Sequence, residues 1–543
     1  MNIIFQLLML FSIGPQQADQ LLINGRIYTV NSAFSMVQAL AIKDGIIIGT
    51  GTSAAIQTRF TAPVTTDLKG NFVLPGFNDG HCHFLHYGIT SLYTPLTGLT
   101  SFEAVLNAVK QHDPATTGGW LLGRGWDQNL WEGAQFPDCK ALDSLYPNIP
   151  VYLIRVDGHA ALANTKALEM AGIFAGMEVQ GGRVVAHGDK CTGLLIDNAM
   201  EPIKNILPEK DPEFLAQALQ RAQQECLRHG LTSVQDAGLK DYQLAALKTA
   251  KASGSLPIRV NAMISATANG LYSLLEEGPY ISDDLTIRSV KVYGDGALGS
   301  RGAALLEPYS DDPENSGLLM FTEDSLLALA KACDAAGFQV CVHAIGDAAN
   351  RQVLDVYEQV LQGANNKRWR IEHCQIIHPD DMSRFGSLSV LPSVQTTHAT
   401  SDMFWADERL GQERIKTAYP YKELMLQNGV LVNGTDFPVE QISPMLTFFS
   451  AVARTNTAMQ PFGGFQMENA LDRIAALRSM TIWPAYASFE EDKKGSIEVG
   501  KFADLIILDA DIMSVRLPEV PRIKVLATMI GGQWLYGTEW LYE

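Results

Sequence analysis

Leu74-Pro75-Gly76-Phe77-Asn78-Asp79-Gly80-His81-Cys82-His83 decides how the rest of this chain is read. An apolar run, Phe72, Val73 and Leu74, breaks at Pro75 and Gly76, and two histidines two positions apart follow at once. Residues i and i+2 of an extended segment project to the same side, so both imidazoles can point at one spot. That is a metal-binding geometry. The plain alternative is a loop that carries two polar histidines after a strand, and partners elsewhere in the chain must decide.

Downstream, strand and helix patterns alternate. Candidate strands lie at 73–79, 231–236, 258–264, 287–293, 338–343, 369–374, 390–396 and 430–436. Between them, Leu326, Leu329, Ala330 and Cys333 repeat at helical spacing, as do Val353, Val356, Tyr357, Val360 and Leu361. Eight strands with intervening helices predict an α/β fold, a (β/α)8 TIM barrel over 73–486, with its active site at the C-terminal strand ends. The first two strands stand about 150 residues apart, far beyond an ordinary connection. An insertion is therefore expected at 115–225. It leaves the strand that bears His81 and His83, and reads as a lid or substrate domain. The flanks 19–72 and 487–543 are rich in short apolar runs, with turn signals at Asn24-Gly25, Asp44-Gly45 and Lys69-Gly70. They are expected to form one small β-sandwich built from both chain ends.

Composition narrows the function classes. Of 543 residues, 47% are hydrophobic and 18% charged, as in a globular protein with a sizeable core. A formal charge of -18 argues against a nucleic-acid partner, since no basic stripe offsets it. The seven cysteines show neither zinc-ribbon spacing nor a disulfide framework and read as small buried hydrophobes. Residues 1–14 carry no charged side chain, and 1–18 read as a signal peptide, which implies a secreted or periplasmic protein. A cytosolic protein with an apolar start is the alternative. No other stretch is long enough to span a bilayer.

Further strand ends carry residues suited to metal chemistry. In Ser289-Val290-Lys291-Val292-Tyr293, alternation sends the valines one way and Lys291 the other, into the barrel, where a buried ammonium is driven toward neutrality. His343 and His373 each end a strand, and Asp436 closes the eighth. Each alone could be a buried histidine satisfied by backbone or an aspartate that caps a helix. Their joint placement favours a site.

These motifs resemble the amidohydrolase superfamily, in particular its third amidohydrolase family, which includes N-substituted formamide deformylase-like enzymes. The resemblance runs from about residue 19 to the end. It rests on Pro-Gly-Phe-x-Asp-x-His-x-His at 75–83, Gly-x-Gly-Trp-Asp at 123–127, Asp-Gly-His at 157–159 and Lys-x-Tyr-x-Asp-Gly at 291–296. His-x-Ile-Gly-Asp at 343–347, Glu-His at 372–373, Thr-Asp-Phe-Pro at 435–438 and Gly-Lys-x-Ala-Asp-Leu at 500–505 complete it. The resemblance implies that His81 and His83 bind a buried zinc ion and His343 and His373 a more exposed one. It makes Lys291, carboxylated by carbon dioxide, the bridge between them, and Asp436 a ligand and general base. Neutral imidazoles do suit zinc.

The implied reaction is hydrolysis of a non-peptide carbon-nitrogen bond in a small-molecule amide, such as an N-formyl or N-acyl amine. A cyclic amide or ester on the same cage is the alternative within enzymes, and a catalytically silent binding or regulatory member the alternative outside them. His159 is the candidate oxyanion donor, and Arg124, Trp126, Arg155 and Arg301 are candidate substrate contacts. For Trp126, Trp131 and Trp405 ordinary packing competes, and for Arg301 a carboxylate partner. His86 and His398 lie within reach of the barrel mouth, though nothing in their spacing demands it. A homo-oligomer is compatible with the sequence.

Overall fold

The computed structural model describes residues 15–156, 158, 160–179, 182–208 and 211–542. The chain divides into two compact units, one of residues 84–224 and 241–256, the other of the remainder.

In the larger unit eight parallel strands lie side by side in sequence order: β1 (Phe77–Cys82), β2 (Leu231–Leu239), β3 (Arg259–Ser265), β4 (Leu285–Tyr293), β5 (Gln339–Ala344), β6 (Arg370–His373), β7 (Leu391–Val394) and β8 (Val432–Asn433). This is the (β/α)8 barrel. Every residue of β3 and β5 is buried, as expected of parallel strands covered on both faces. The helix Glu323–Ala335 buries Leu326, Leu329, Ala330 and Cys333, and Thr322 starts it by accepting the Ser325 N–H. The helix Asp347–Leu361 buries Val353, Leu354, Val356 and Tyr357.

Three expected boundaries are corrected. The strand at 73–79 is two strands in two sheets, because the chain changes partners at Gly76. Gly76 N–H donates to the Asp504 carbonyl (2.9 Å), whereas Phe77 N–H donates to Gly230 on the barrel side (3.0 Å). The strand at 430–436 keeps ladder pairing only at Val432–Asn433, since Asp436 turns away with φ of 58°. The inserted unit's seven-stranded sheet begins at Thr94–Pro95, ahead of residue 115, and packs around Leu121, Trp126, Val151, Leu153 and Leu162.

Both chain ends contribute to the remaining sheets. Phe72–Pro75 pairs antiparallel with Leu505–Leu508 in a six-stranded sheet, next to a four-stranded sheet that contains Ala39–Lys43 and Ile46–Gly51. Leu22, Leu40, Ile47, Val73, Leu505, Ile507 and Met529 share one core. Asp44 and Gly45 both have positive φ, as a two-residue hairpin turn with the right twist requires. Gln16–Gln17 pairs with Phe60–Thr61, and the rest of the expected leader up to residue 14 lies outside the described residues. No helix among the described residues is long and apolar enough to cross a membrane.

The barrel closes at its mouth, where β1 meets the chain after β8. Asp436 N–H donates to the His81 carbonyl and His83 N–H to the Phe437 carbonyl, each at 2.8 Å. Gly80 and Gly434 permit this approach: a Cβ on Gly80 would lie 2.4 Å from Val432 Cγ1, and one on Gly434 2.4 Å from the His81 nitrogen. Asp79 clamps the seam by accepting from His81 N–H (3.1 Å), Thr435 N–H (3.1 Å) and Thr435 Oγ1–H (2.7 Å). Replacing Thr435 with Val leaves one buried carboxylate oxygen without its hydroxyl partner. Urea unfolding should then show a loss of about 1–3 kcal/mol, with T435S close to wild type.

Candidate metal centre

Five barrel strands converge on one cluster. His81 is fully buried, and its Nδ1 lies 2.5 Å from Glu372 Oε2. A carboxylate only accepts, so the proton sits on Nδ1 and the Nε2 lone pair faces the cluster. His83 Nδ1–H donates in the same way to the Ala237 carbonyl (2.9 Å), and His373 Nδ1–H to Gln395 Oε1 (2.7 Å). Lys291 Nζ stands 3.2 Å from His81 Nε2. Asp436 Oδ1 lies 3.1 Å from His83 Nε2 and 3.7 Å from His81 Nε2. The rings of His373 and His343 are 4.5 Å apart, and His343 Nε2 is 3.4 Å from both the Gly296 carbonyl and Asp295 Oδ1.

Neighbouring residues of a strand point to opposite faces, yet Glu372 and His373 both reach this cluster. His373 does so by leaving β6 with φ of 76°, a left-handed conformation that costs a non-glycine residue about 1–3 kcal/mol. Asp436, at φ of 58°, does the same after β8.

The donors fit a divalent cation. Ligand atoms of His81, His373 and Asp436 all lie within 4.8 Å of one another. Asp436 Oδ1 is buried, and no hydrogen bond satisfies it. Burial, reinforced by the charge of Lys291, lowers His81 to about 4 and His343 to about 3, so both are neutral at pH 7. Burial likewise lowers His373 and Lys291. Burial alone would raise Glu372 and Asp436, but Arg370 and His81 hold the first, and His83 and His81 the second, below the usual carboxylate range. The result is a set of neutral imidazoles at His81, His343 and His373, with His83 raised against its burial by contact with Asp436, beside two ionised carboxylates.

Several candidate substrate contacts have partners of their own. Trp126, expected against substrate, packs in the core of the inserted sheet, where its indole N–H donates to the Leu153 carbonyl (2.8 Å). Arg155 pairs with Asp127 (2.8 Å) and Gln128 (2.8 Å) in the same unit, and Arg124 is exposed on strand Leu121–Trp126. Arg301, also expected against substrate, forms a two-pronged pair with Asp311 (3.1 and 2.8 Å), which is the carboxylate alternative. His159 lies outside the described residues.

Other groups emerge only in three dimensions. Glu372 is held by Arg370 two residues earlier (3.0 Å), a buried Arg-x-Glu pair that was a usable signal. Gln395 and His398 give no such signal. Asp295 accepts three backbone N–H groups, from Ala304, Ile345 and Gly346 (2.8–3.0 Å), and so joins the loop after β4 to the loop after β5.

Comparison with known proteins gives a consistent result. Residues 64–536 match the model of the amidohydrolase family. The chain is 34% identical to Protein LONG AFTER FAR-RED 3 of Arabidopsis thaliana, over 96% of this chain and 92% of that protein. It is 27% identical to the N-substituted formamide deformylase of Arthrobacter pascens, over 96% and 99%. The crystal structure of an uncharacterized metal-dependent hydrolase from Pyrococcus horikoshii superposes with a TM-score of 0.80 at 32% identity, over 92% of this chain and 99% of that one.

Gln395 orients His373 without being a candidate ligand, so Q395L should weaken metal affinity by about 10–100-fold in competition with a chelator. Acid should release the metal in stages. His81 and His343, lowered to about 4 and about 3, keep their lone pairs to low pH, whereas His83, raised by contact with Asp436, takes up its proton first. Dialysis against buffers of falling pH should therefore begin to remove metal well before pH 4 and remove it fully only below that value.

Proposed function

Since the chain belongs to the amidohydrolase family, we propose that it hydrolyses a non-peptide carbon-nitrogen bond, that of an N-formyl or N-acyl amine, with two zinc ions at the mouth of its barrel. The observation that carries this reading is the convergence of His81, His373 and Asp436 beside the buried Lys291. The deformylase relative supports the choice of bond.

In this reading His81 and His83 hold one ion, His343 and His373 the other, and Asp436 contributes an oxygen. Bound zinc would supply Lewis acidity, which acidifies water and polarises a carbonyl. Burial disfavours the ammonium form of Lys291 and so favours the amine that can react with carbon dioxide. Carboxylation would join that nitrogen to the carbon with loss of a proton, and the resulting carbamate would supply oxygen ligands to the metal site. Glu372 and Gln395 fix which nitrogen of His81 and His373 faces the cluster.

Asp436 is the base. Its Oδ1 has no hydrogen-bond donor and its affinity for protons is low, so it takes a proton only from acidified water. It then delivers that proton to the departing amine nitrogen. The walls of the same cavity hold Leu298, Ile345, Trp405 and Val439, which leave room for an apolar portion of the substrate.

Metal analysis in the presence of bicarbonate, run beside turnover of N-formyl and N-acetyl amines, tests the reading. Wild type should hold about two zinc ions per chain and release amine, and K291A should lose most of both. D436N should retain fold and lower kcat by about 100–10,000-fold. Folded wild type without stoichiometric metal would overturn the proposal.

A further inference from the structure

The histidines at the barrel mouth differ in which nitrogen they turn inward. His81, His83 and His373 each donate Nδ1–H to an acceptor behind them and present the Nε2 lone pair to the cluster. His398, which lines the same cavity, does the reverse. Gln375 Nε2 donates to its Nδ1 (3.2 Å), so that lone pair is used and the ring proton sits on Nε2. A protonated nitrogen has no lone pair to give a metal ion. In this tautomer His398 is a hydrogen-bond donor placed among ligands.

That N–H has no partner of its own. The His398 side chain is only 9% exposed, and Nε2 is buried without a hydrogen bond. Closed off from solvent, it is also out of reach of a substrate oxygen, and its acceptor must come from the fold. The carboxylate oxygen that faces it is Asp436 Oδ2, at 3.7 Å. A shift of about 0.8 Å would bring the pair to an ordinary N–H···O distance of about 2.9 Å. The other oxygen, Oδ1, faces His83 Nε2 (3.1 Å) and His81 Nε2 (3.7 Å). One oxygen of Asp436 is thus turned to candidate metal ligands and the other to a single N–H.

Donor and acceptor are anchored to the same strand end. Thr396 opens the helix Thr396–Asp402 that carries His398, and its N–H donates to Asn433 Oδ1 (3.2 Å) while its Oγ1–H donates to the Thr447 carbonyl (2.8 Å). Asn433 is the last residue of β8, three positions before Asp436. The His398 ring also lies nearly parallel to that of His373, at 19°.

We propose that His398 is a positioning residue for Asp436: its Nε2–H takes Oδ2 and leaves Oδ1 as the oxygen presented to the metal site and to the proton of water. Gln375 serves it by fixing the tautomer. The catalytic consequence rests on the amide-hydrolase reading, whereas the hydrogen bond and its effect on metal binding do not.

Nitrogen NMR of protein labelled at histidine, metal-free and zinc-loaded, reads the tautomer, with the His398 signals assigned by their loss in H398Q. His398 should carry its proton on Nε2, and His81 and His373 theirs on Nδ1. H398L removes the donor, whereas H398Q returns an amide N–H at about the reach of Nε2. In competition with a chelator, H398L should bind metal about 10–100-fold more weakly, and its kcat on the amide substrates should fall by a similar factor with KM little changed. H398Q should recover most of both losses. Thermal unfolding is recorded for each variant, and the tautomer, read on wild type, keeps the test decisive if H398L misfolds. A proton on Nδ1 of His398, metal affinity and kcat unchanged in H398L, or H398Q as impaired as H398L would each overturn the proposal. The expected tautomer and metal affinities in a protein that turns over no amide would support the positioning role and overturn the amide-hydrolase reading.

Discussion

The site depends on the seam between the first and eighth barrel strands. The chain after β8 must lie close enough to β1 for Asp436 N–H to reach the His81 carbonyl and for His83 N–H to reach Phe437. The same two hydrogen bonds that close the barrel therefore set the spacing between a candidate base and two candidate ligands. Asp79 ties both sides together through His81 and Thr435, at the cost of burying a carboxyl group, which pushes it up to about 7 even against three hydrogen bonds. A change that opens this seam alters fold and chemistry at once. Elsewhere the barrel strands pair as parallel ladders, with register shifts from β1 to β4 and regular pairing from β4 to β8.

Inside the seam, charge is arranged in layers. Arg370 is fully buried and neutralised by Glu372, which in turn accepts from His81. An isolated buried guanidinium would be prohibitive, but this series places a positive, a negative and a neutral group in order toward the barrel mouth. It fixes the tautomer of His81, which burial and the charge of Lys291 keep neutral against the pull of Glu372. Lys291 fits the same logic, since in a space already lined by imidazoles its charged form is the unfavourable one.

How much of this was legible in the sequence follows from what each feature depends on. Strands and helices were visible because burial on one face leaves a period, as at Leu326, Leu329, Ala330 and Cys333. His81, His83, Lys291, His343, His373 and Asp436 could be listed because each ends or nearly ends a strand, where side chains gather in this architecture. Their partners could not. Arg370 two residues earlier hinted at Glu372, but the contact of Glu372 with His81, like that of Gln395 with His373, joins segments far apart in the sequence. Neither contact has a local pattern. Trp126 and Arg301 stayed open between binding and packing for the opposite reason: aromatic and cationic residues near glycines look like binding groups, while their partners, Leu153 and Asp311, are set by the fold. The strand at 73–79 was read as one because apolar pattern does not record a change of sheet, which hydrogen bonding at Gly76 and Phe77 accomplishes without altering the texture of the sequence.

The unsatisfied polar atoms point to what completes the molecule. Asp436 Oδ1, His398 Nε2, Gln395 Nε2 and Gln375 Oε1 are all buried without hydrogen bonds, and the residues that carry them surround one space. Each such atom costs about 1–3 kcal/mol, against a net stability of only about 5–15 kcal/mol for a typical domain. A fold that concentrates these costs at one place, together with left-handed backbone at His373 and Asp436, holds its reactive groups ready rather than relaxed. Whatever binds there recovers part of the cost. Occupancy of the site and stability of the barrel are then linked quantities, and the seam at Asp79 is where the link is made.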